Sequence, residues 1–177
     1  MESFTLNISI VSFLNHWANS SLYASNIVIF CAVYLGWVLV IGLLFYIYDA
    51  RNHWKAFRIP LLFLVSGLLA LLVVDLVKGI IPITRPFSAI KGILPLFKPG
   101  DLAAFPSSHA AFFGGIALYL LLRHRGPGVW YLSLVILMCL ARVAAGVHYP
   151  LDILAGLAVA GLAGFIVIKF FPGHKTK

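Results

Sequence analysis

Hydrophobic residues run along this chain in long blocks, without the alternation of half-buried strands or the one-sided stripe of soluble helices. Five blocks, at 27–48, 59–78, 107–122, 129–145 and 151–171, each approach the roughly 20 apolar residues needed to cross a bilayer. The third and fourth are short, so their ends are expected to carry polar catalytic residues. Residues 1–24 behave differently. Ile10, Val11, Leu14 and Trp17 share one helical face, while Asn7, Ser12, Asn15 and Asn19 interrupt the run. This predicts an amphipathic helix lying in the membrane interface, with a sixth span as the alternative. The segment lacks the basic start and small-residue cleavage site of a signal peptide. The expected fold is an all-α integral membrane protein: a bundle of five transmembrane helices, six in the alternative, with an N-terminal amphipathic segment. No linker divides the chain, so residues 1–177 are expected to form a single domain.

Composition agrees. The 177 residues are 62% hydrophobic and 10% charged, with mean hydropathy +1.04, where a soluble domain carries about 25% charge. A formal charge of +8 would suggest nucleic acid in a soluble protein. In a membrane protein it reads as lysine and arginine gathered in cytoplasmic loops, and no nucleic-acid partner is expected. Arg51, Lys55 and Arg58, then Arg123 and Arg125, then Lys169, Lys175 and Lys177 fall on one side of a five-span bundle. That side is cytoplasmic by the positive-inside rule, against the count of Arg85, Lys91 and Lys98 in the 79–106 loop. The other face then receives that loop and the turn at 146–150. Cys31 and Cys139, both within apolar runs, read as buried thiols.

The polar chemistry is confined to three segments. Lys78 ends the second block and is followed by Arg85-Pro86; Pro106-Ser107-Ser108-His109 opens the third; Arg142, His148 and Asp152 flank the last turn. Each has an ordinary explanation. A lysine at a helix end snorkels to headgroups or pairs with Asp75 one turn earlier. Ser107 or Ser108 suits an N-cap, and a histidine at an interface needs no chemistry. The spacing R-x5-H-x3-D is less easily dismissed, since composition alone would produce it on the order of 0.005 times. Pro150 suits the first turn of the last helix. Asp152 then falls in that turn, within reach of one ring nitrogen of His148, leaving the other free as a nucleophile. The arginine fork suits a phosphate bidentately, and a helix N-terminus at Ser107-Ser108 is a ready anion site. Five scattered acids do not make a magnesium cluster, and zinc on His109, His148 and Asp152 would be opposed by neighbouring cations. No metal or other cofactor is expected. Gly156, Ala160 and Gly164 recur as a small-residue stripe for helix packing.

K-x6-R-P, P-S-x-H and R-x5-H-x3-D, in this order, resemble the tripartite signature of the type 2 phosphatidic acid phosphatase (PAP2) superfamily. The resemblance covers the chain from about Lys78 to Asp152. It implies a metal-independent helical phosphatase working through a phosphohistidine: His148 as nucleophile, Asp152 as its orienting partner and His109 as the acid for the leaving oxygen. Lys78, Arg85, Ser107, Ser108 and Arg142 would hold the phosphate. The chain departs from the usual pattern at Ser108, where glycine is common, and at Ala141, where serine is common.

The implied partners are the bilayer and a membrane lipid phosphate or diphosphate; the sequence carries no sign of oligomeric state. Lys91 and Lys98 suit a second phosphate, and Ile93, Leu94, Leu96 and Phe97 are placed to dip into lipid or to anchor the loop. Small size and an outward site are similar to the bacterial undecaprenyl-diphosphatases of the bacitracin-resistance type, in the bacterial inner membrane with the site on the periplasmic or extracellular side. Phosphatidylglycerophosphate or phosphatidate phosphatase is the alternative within the class; a catalytically silent scaffold or transporter subunit is the alternative outside it.

Overall fold

The computed structural model describes residues 2–50 and 54–171, with side chains described at 5–48 and 61–171. Helix α1 spans Glu2–Ala18. Helix α2 (Leu22–Ile29) passes through a π-helical turn (Phe30–Tyr34) into α3 (Leu35–Ala50) without a break. Then follow α4 (Trp54–Ile80), the short α5 (Pro86–Ala89), α6 (Ser108–Arg123), α7 (Arg125–Ala144) and α8 (Pro150–Phe170). Among the described residues, four helices are long and apolar enough to cross a membrane: Leu22–Tyr48, Leu61–Ile80, Arg125–Ala144 and Pro150–Phe170. The first starts at Leu22 rather than at 27 because Ser21 caps it, its hydroxyl accepting from the Ala24 amide at 3.2 Å.

Helix α6, the third expected span, has 16 residues and so reaches about 24 Å, less than the roughly 30 Å of a hydrocarbon core. It therefore falls short of the four candidate spans. It is the central rod, buried along Ala110, Ala111, Phe113, Ile116, Ala117 and Leu120, with α4, α7 and α8 packed around it. Its surroundings are protein more than lipid, so membrane thickness does not set its length.

Missing side chains let these helices close up. A Cβ on Gly156 of α8 would stand 2.6 Å from the Ser107 carbonyl oxygen, and one on Gly115 of α6 would stand 2.9 Å from the Ser66 carbonyl oxygen of α4. The stripe expected at Gly156, Ala160 and Gly164 therefore serves packing, against α6 and, at Gly164, toward Ser66 of α4. Cys139 is buried in the main apolar cluster with Met138 and Phe113, and neither it nor Cys31 is in a disulfide. Ala141 lies among Ala18, Val28, Ala144 and Val147, an apolar setting that has no use for a serine hydroxyl.

Helix α1 turns two of its polar residues inward, while Thr5, Ser9, His16 and, just past its end, Asn19 stay exposed. Asn7, Val11, Asn15 and Ala18 are buried, while Leu6, Phe13 and Trp17 are exposed. Ile10 and Val11, expected on one face, divide between the two. The reason is hydrogen bonding. Asn15 Nδ2 donates to the carbonyls of Leu94 and Ala144, each at 2.9 Å, and its Oδ1 accepts from the Leu94 amide at 2.9 Å. Asn7 Oδ1 accepts from the Leu151 amide at 3.2 Å. Buried amide side chains with full sets of partners are stable where a bare apolar stripe would leave backbone groups unpaired. Helix α1 thus ties together the end of α7, the start of α8 and the loop after α5.

The four apolar residues of that loop, placed by the sequence either to dip into lipid or to anchor the loop, mostly pack inward. Ile93 is buried in the main cluster, and Leu96 and Phe97 pack partly buried against a second one; only Leu94 of the four is exposed. Lys78, Ser108, Arg142 and Pro150 all stand at or near helix ends meeting on one side of the bundle, whereas Arg123, Arg125 and Lys169 sit at the far ends of their helices. Arg51, His53, Lys175 and Lys177 lie outside the described residues, as do the side chains of Lys55 and Arg58.

Candidate functional site

The converging helix ends enclose a cavity of about 580 Å³, lined on its polar side by Lys78, Arg85, Lys98, Asp101, His109, Arg142 and His148, together with Ser108. Every segment singled out in the sequence contributes to it or supports it.

His148 sits at its base in the turn between α7 and α8, 1% exposed. Its Nε2 lies 3.3 Å from Arg85 Nη1 and 3.4 Å from Ser107 Oγ. The other ring nitrogen, Nδ1, faces Asp152 Oδ2 at 3.4 Å. This pairing is looser than the sequence suggests: Nδ1 has no hydrogen-bond partner, and Asp152 Oδ2 accepts instead from the Tyr149 amide at 2.7 Å. Pro150 opens α8 as expected and Asp152 is its third residue, bonded back to the cap. The carboxylate therefore caps the helix first and faces the imidazole second. Burial, then the charges of Arg142 and Arg85, push the His148 imidazole well below the usual histidine range. Such a shift favours the neutral ring, which carries a lone pair at one nitrogen.

Arg85 is held rigidly. Its Nε donates to the Asp101 carbonyl at 2.9 Å and its Nη1 to the Val147 carbonyl at 2.7 Å, while Pro86 starts α5 directly after it. Arg142 reaches across from α7. Its Nη1 donates to the Ala32 carbonyl within the π-helical turn at 3.0 Å, its guanidinium lies 5.5 Å from the centre of the Phe97 ring, and its Nε has no protein partner. Lys78 pairs with Asp101 at 2.8 Å, not with Asp75, the neighbour the helix spacing suggested; Asp75 is exposed on another part of α4.

Ser107 is the cap of α6, its Oγ accepting from the Ala110 amide at 3.4 Å. It is fully buried, and its amide donates to the Asp152 carbonyl at 3.0 Å. Ser107 thus backs the cavity wall, while Ser108 and His109, the first residues of α6, line it. Amides in the first turn of a helix have no intrahelical partner. The His109 ring rests 6.2 Å from that of Phe113.

Three features escaped the sequence reading. Asp101 joins the cation cluster, its Oδ1 accepting from Arg85 Nη2; a lone acid in an otherwise basic loop was the available signal. Burial raises its pKa, but the hydrogen bonds and charges of Lys78 and Arg85 outweigh burial and hold its carboxyl below the usual range. The Ala32 carbonyl and the Asn15 clamp leave no trace in composition. Of the two lysines assigned to a second phosphate, Lys98 lines the cavity, whereas Lys91 borders a separate polar pocket beside α1. Among the described residues no group of three His, Cys, Asp or Glu side chains is placed to share a metal ion.

The other wall of the cavity is apolar: Val33, Gly36, Trp37 and Val40 from the first span, opposite Phe113.

Comparison with known proteins places the chain among relatives of the same family and fold. The chain is 27% identical over 169 residues to the bacitracin transport permease protein BcrC of Bacillus licheniformis, covering 94% of this chain and 81% of that protein. It is 29% identical over 174 residues to the putative undecaprenyl-diphosphatase YbjG of Escherichia coli K12, covering 96% and 86%. Among solved structures, Aquifex aeolicus LpxE superposes with a TM-score of 0.75 at 24% identity over 93% of this chain and 95% of that one. A PAP2-type phosphatidylglycerolphosphate phosphatase from Bacillus subtilis gives 0.63 at 20% identity over 96% and 86%. These two likenesses are of fold. Residues 59–175 match the PAP2 superfamily as a whole, a stretch that contains Lys78, Arg85, the Pro-Ser-Ser-His segment and the run from Arg142 to Asp152, and the chain therefore belongs to the PAP2 superfamily of membrane lipid phosphatases.

Proposed function

We propose that this protein removes the terminal phosphate of a lipid diphosphate, undecaprenyl diphosphate above all, through a phosphohistidine on His148. The observation that carries the reading is the placement of His148 Nε2 at the base of the cavity, 3.3 Å from Arg85 Nη1 and beside Ser107.

In the first step Nε2 attacks phosphorus in line, an N–P bond forms and the bond to the bridging oxygen breaks. His109 gives that oxygen a proton, and lipid monophosphate leaves. In the second step His109 takes a proton from water, whose oxygen attacks phosphorus; the N–P bond breaks and inorganic phosphate is released. Lys78, Arg85 and Arg142, with the amides of Ser108 and His109, balance the charge on the transferring group. Asp152 receives the positive charge that develops at Nδ1, the 3.4 Å gap closing as the ring becomes cationic. None of these steps calls on a metal.

The chain would act as a single domain of five spans, α6 included, in the plasma membrane. Arg123, Arg125 and Lys169 at the ends remote from the cavity support a cytoplasmic assignment for those ends, which turns the site outward. The apolar wall and Lys98 support a long-chain diphosphate. Phosphatidylglycerophosphate, a monoester with a second phosphate nearby in the headgroup, is the second reading, supported by the same Lys98. Phosphate release from a panel of lipid mono- and diphosphates in detergent decides between them. His148→Ala should abolish release and acid-labile phosphoryl-enzyme alike, and EDTA should leave the wild-type rate unchanged. Turnover by His148→Ala at a comparable rate would remove the nucleophile assignment.

A further inference from the structure

We propose that the Asp101 carboxylate is a built-in counter-anion that occupies the cation pair of the empty site and competes with free phosphate for it. The proposal rests on the reading of Lys78 and Arg85 as phosphate ligands. The two carboxylate oxygens are divided between the two cations: Oδ2 lies 2.8 Å from Lys78 Nζ, and Oδ1 accepts from Arg85 Nη2. Two oxygens of a bound phosphate would use the same pair of donors.

The carboxylate is not what orients Arg85. That guanidinium is fixed by backbone carbonyls, Val147 O on Nη1 and Asp101 O on Nε, and both contacts survive loss of the Asp101 side chain. What the side chain takes up is Nη2, the donor those carbonyls leave over. Its own position favours release. The Asp101 side chain is 51% exposed, on the lip of the cavity after Pro99-Gly100. The backbone behind it is fastened by the Ala104 amide donating to the Ile83 carbonyl at 2.7 Å and by the Thr84–Ala103 bridge. The side chain can therefore turn into solvent while the loop stays in place: the acid is the solvent-facing member of the cluster, the Lys78 and Arg85 side chains being only 12% and 3% exposed.

Charge gives the device its use. Lys78, Arg85, Lys98 and Arg142 line the cavity, and Asp101 is the acid among its lining residues. Four cations around a small space would hold inorganic phosphate, which every turnover produces. A lipid phosphate adds the burial of its chain against Trp37, Val40 and Phe113 and displaces Asp101; orthophosphate has no chain and is expelled by it. Asp101 thus favours lipid-borne over free phosphate and speeds product release. The hydrogen bonds and charges of Lys78 and Arg85 hold the Asp101 carboxyl below the usual carboxylate range, which favours its ionised form.

The test is calorimetric binding of inorganic phosphate to the full-length protein in detergent, comparing wild type with Asp101→Ala and Asp101→Asn. Asn keeps the shape and packing should Ala unfold. Both variants should bind phosphate at least tenfold more tightly, about 1.4 kcal/mol, and inhibition of lipid phosphate hydrolysis by orthophosphate should strengthen by the same factor. Unchanged or weaker phosphate binding in a folded variant overturns the proposal, because it would make the carboxylate an organiser of the cations or a bystander. Binding needs no turnover. Failure of the wild type to hydrolyse any lipid phosphate would therefore sink the functional reading and leave this comparison to be judged separately.

Discussion

Gly156→Ala asks whether α8, and with it the site, owes its place to a missing side chain. The new Cβ would stand 2.6 Å from the Ser107 carbonyl oxygen and 2.9 Å from Ala110 Cβ. Ordinary contact begins at 3.4 Å, so α8 and α6 must part by 3.4 less 2.6, or 0.8 Å, along that line. Neither obstacle can rotate away, since one is a backbone carbonyl and the other a Cβ on α6. Nor can Ser107 yield alone: its amide donates to the Asp152 carbonyl and its carbonyl accepts from the Ala111 amide, both at 3.0 Å. Overpacking of this kind costs about 1–3 kcal/mol, and removing a helical glycine returns up to about 1 kcal/mol. A net loss of about 1–2 kcal/mol is expected. Activity should suffer more. Ser107 and His148 meet across this contact, and a displacement near 1 Å costs about 100-fold in rate. The assay is phosphate release beside thermal unfolding in detergent, with Gly161→Ala on the same helix as control; its Cβ would meet only Leu118 Cδ1, at 4.0 Å. Gly156→Ala should lose about two orders of magnitude in kcat while Gly161→Ala behaves as wild type. Equal, near-wild-type rates for both would refute the claim that this approach sets the site's geometry.

Two further outcomes follow from the buried polar groups. Asn15→Ala leaves the Leu94 amide and the Ala144 carbonyl without their partner, while the Leu94 carbonyl keeps Asn19 Nδ2 at 3.3 Å; it should cost roughly 2 kcal/mol, read as a lowered midpoint of thermal unfolding in detergent. Asn15→Asp keeps only the acceptor and should fall between the two. The depressed His148 imidazole makes stability depend on pH in a defined direction. Below the ordinary value near 6.5 the unfolded chain takes up a proton that the folded ring refuses, so stability is intact above that value and is lost as pH falls. The loss from this one group is at most about 1.4 kcal/mol per pH unit. His148→Gln should flatten the fall in unfolding temperature between pH 7 and pH 5, and an unchanged slope would count against a neutral buried ring.

The helices were legible in sequence because the bilayer is a simple selector of long apolar runs: among the described residues four of the five expected blocks are helices long and apolar enough to cross a membrane, the block at 107–122 is a shorter apolar helix, and bounds shift by a few residues where Ser21 caps α2 and Pro150 opens α8. The candidate site was legible for a related reason. In so apolar a chain a polar residue at a helix end needs a purpose, and Lys78, Arg85, Ser108, His109, Arg142 and His148 all reach one cavity. What stayed hidden were relations between residues distant in the chain, settled by packing. Asn15 looked like an interruption of an apolar face and is a clamp on residues 79 and 129 positions away. Asp152 was read as the partner of His148 and first of all caps its own helix. Ile93 and Phe97 looked fit for lipid and are drawn inward, Phe97 beneath the Arg142 guanidinium. Asp101 differs from any other loop acid only because the fold sets Lys78 and Arg85 on either side of its carboxylate. Local sequence determined the elements and the polar inventory through hydropathy and helix-end chemistry, which act over a few residues. Tertiary structure decided which donor meets which acceptor, because those distances exist only once α4, α6, α7 and α8 are packed to the closeness their glycines permit.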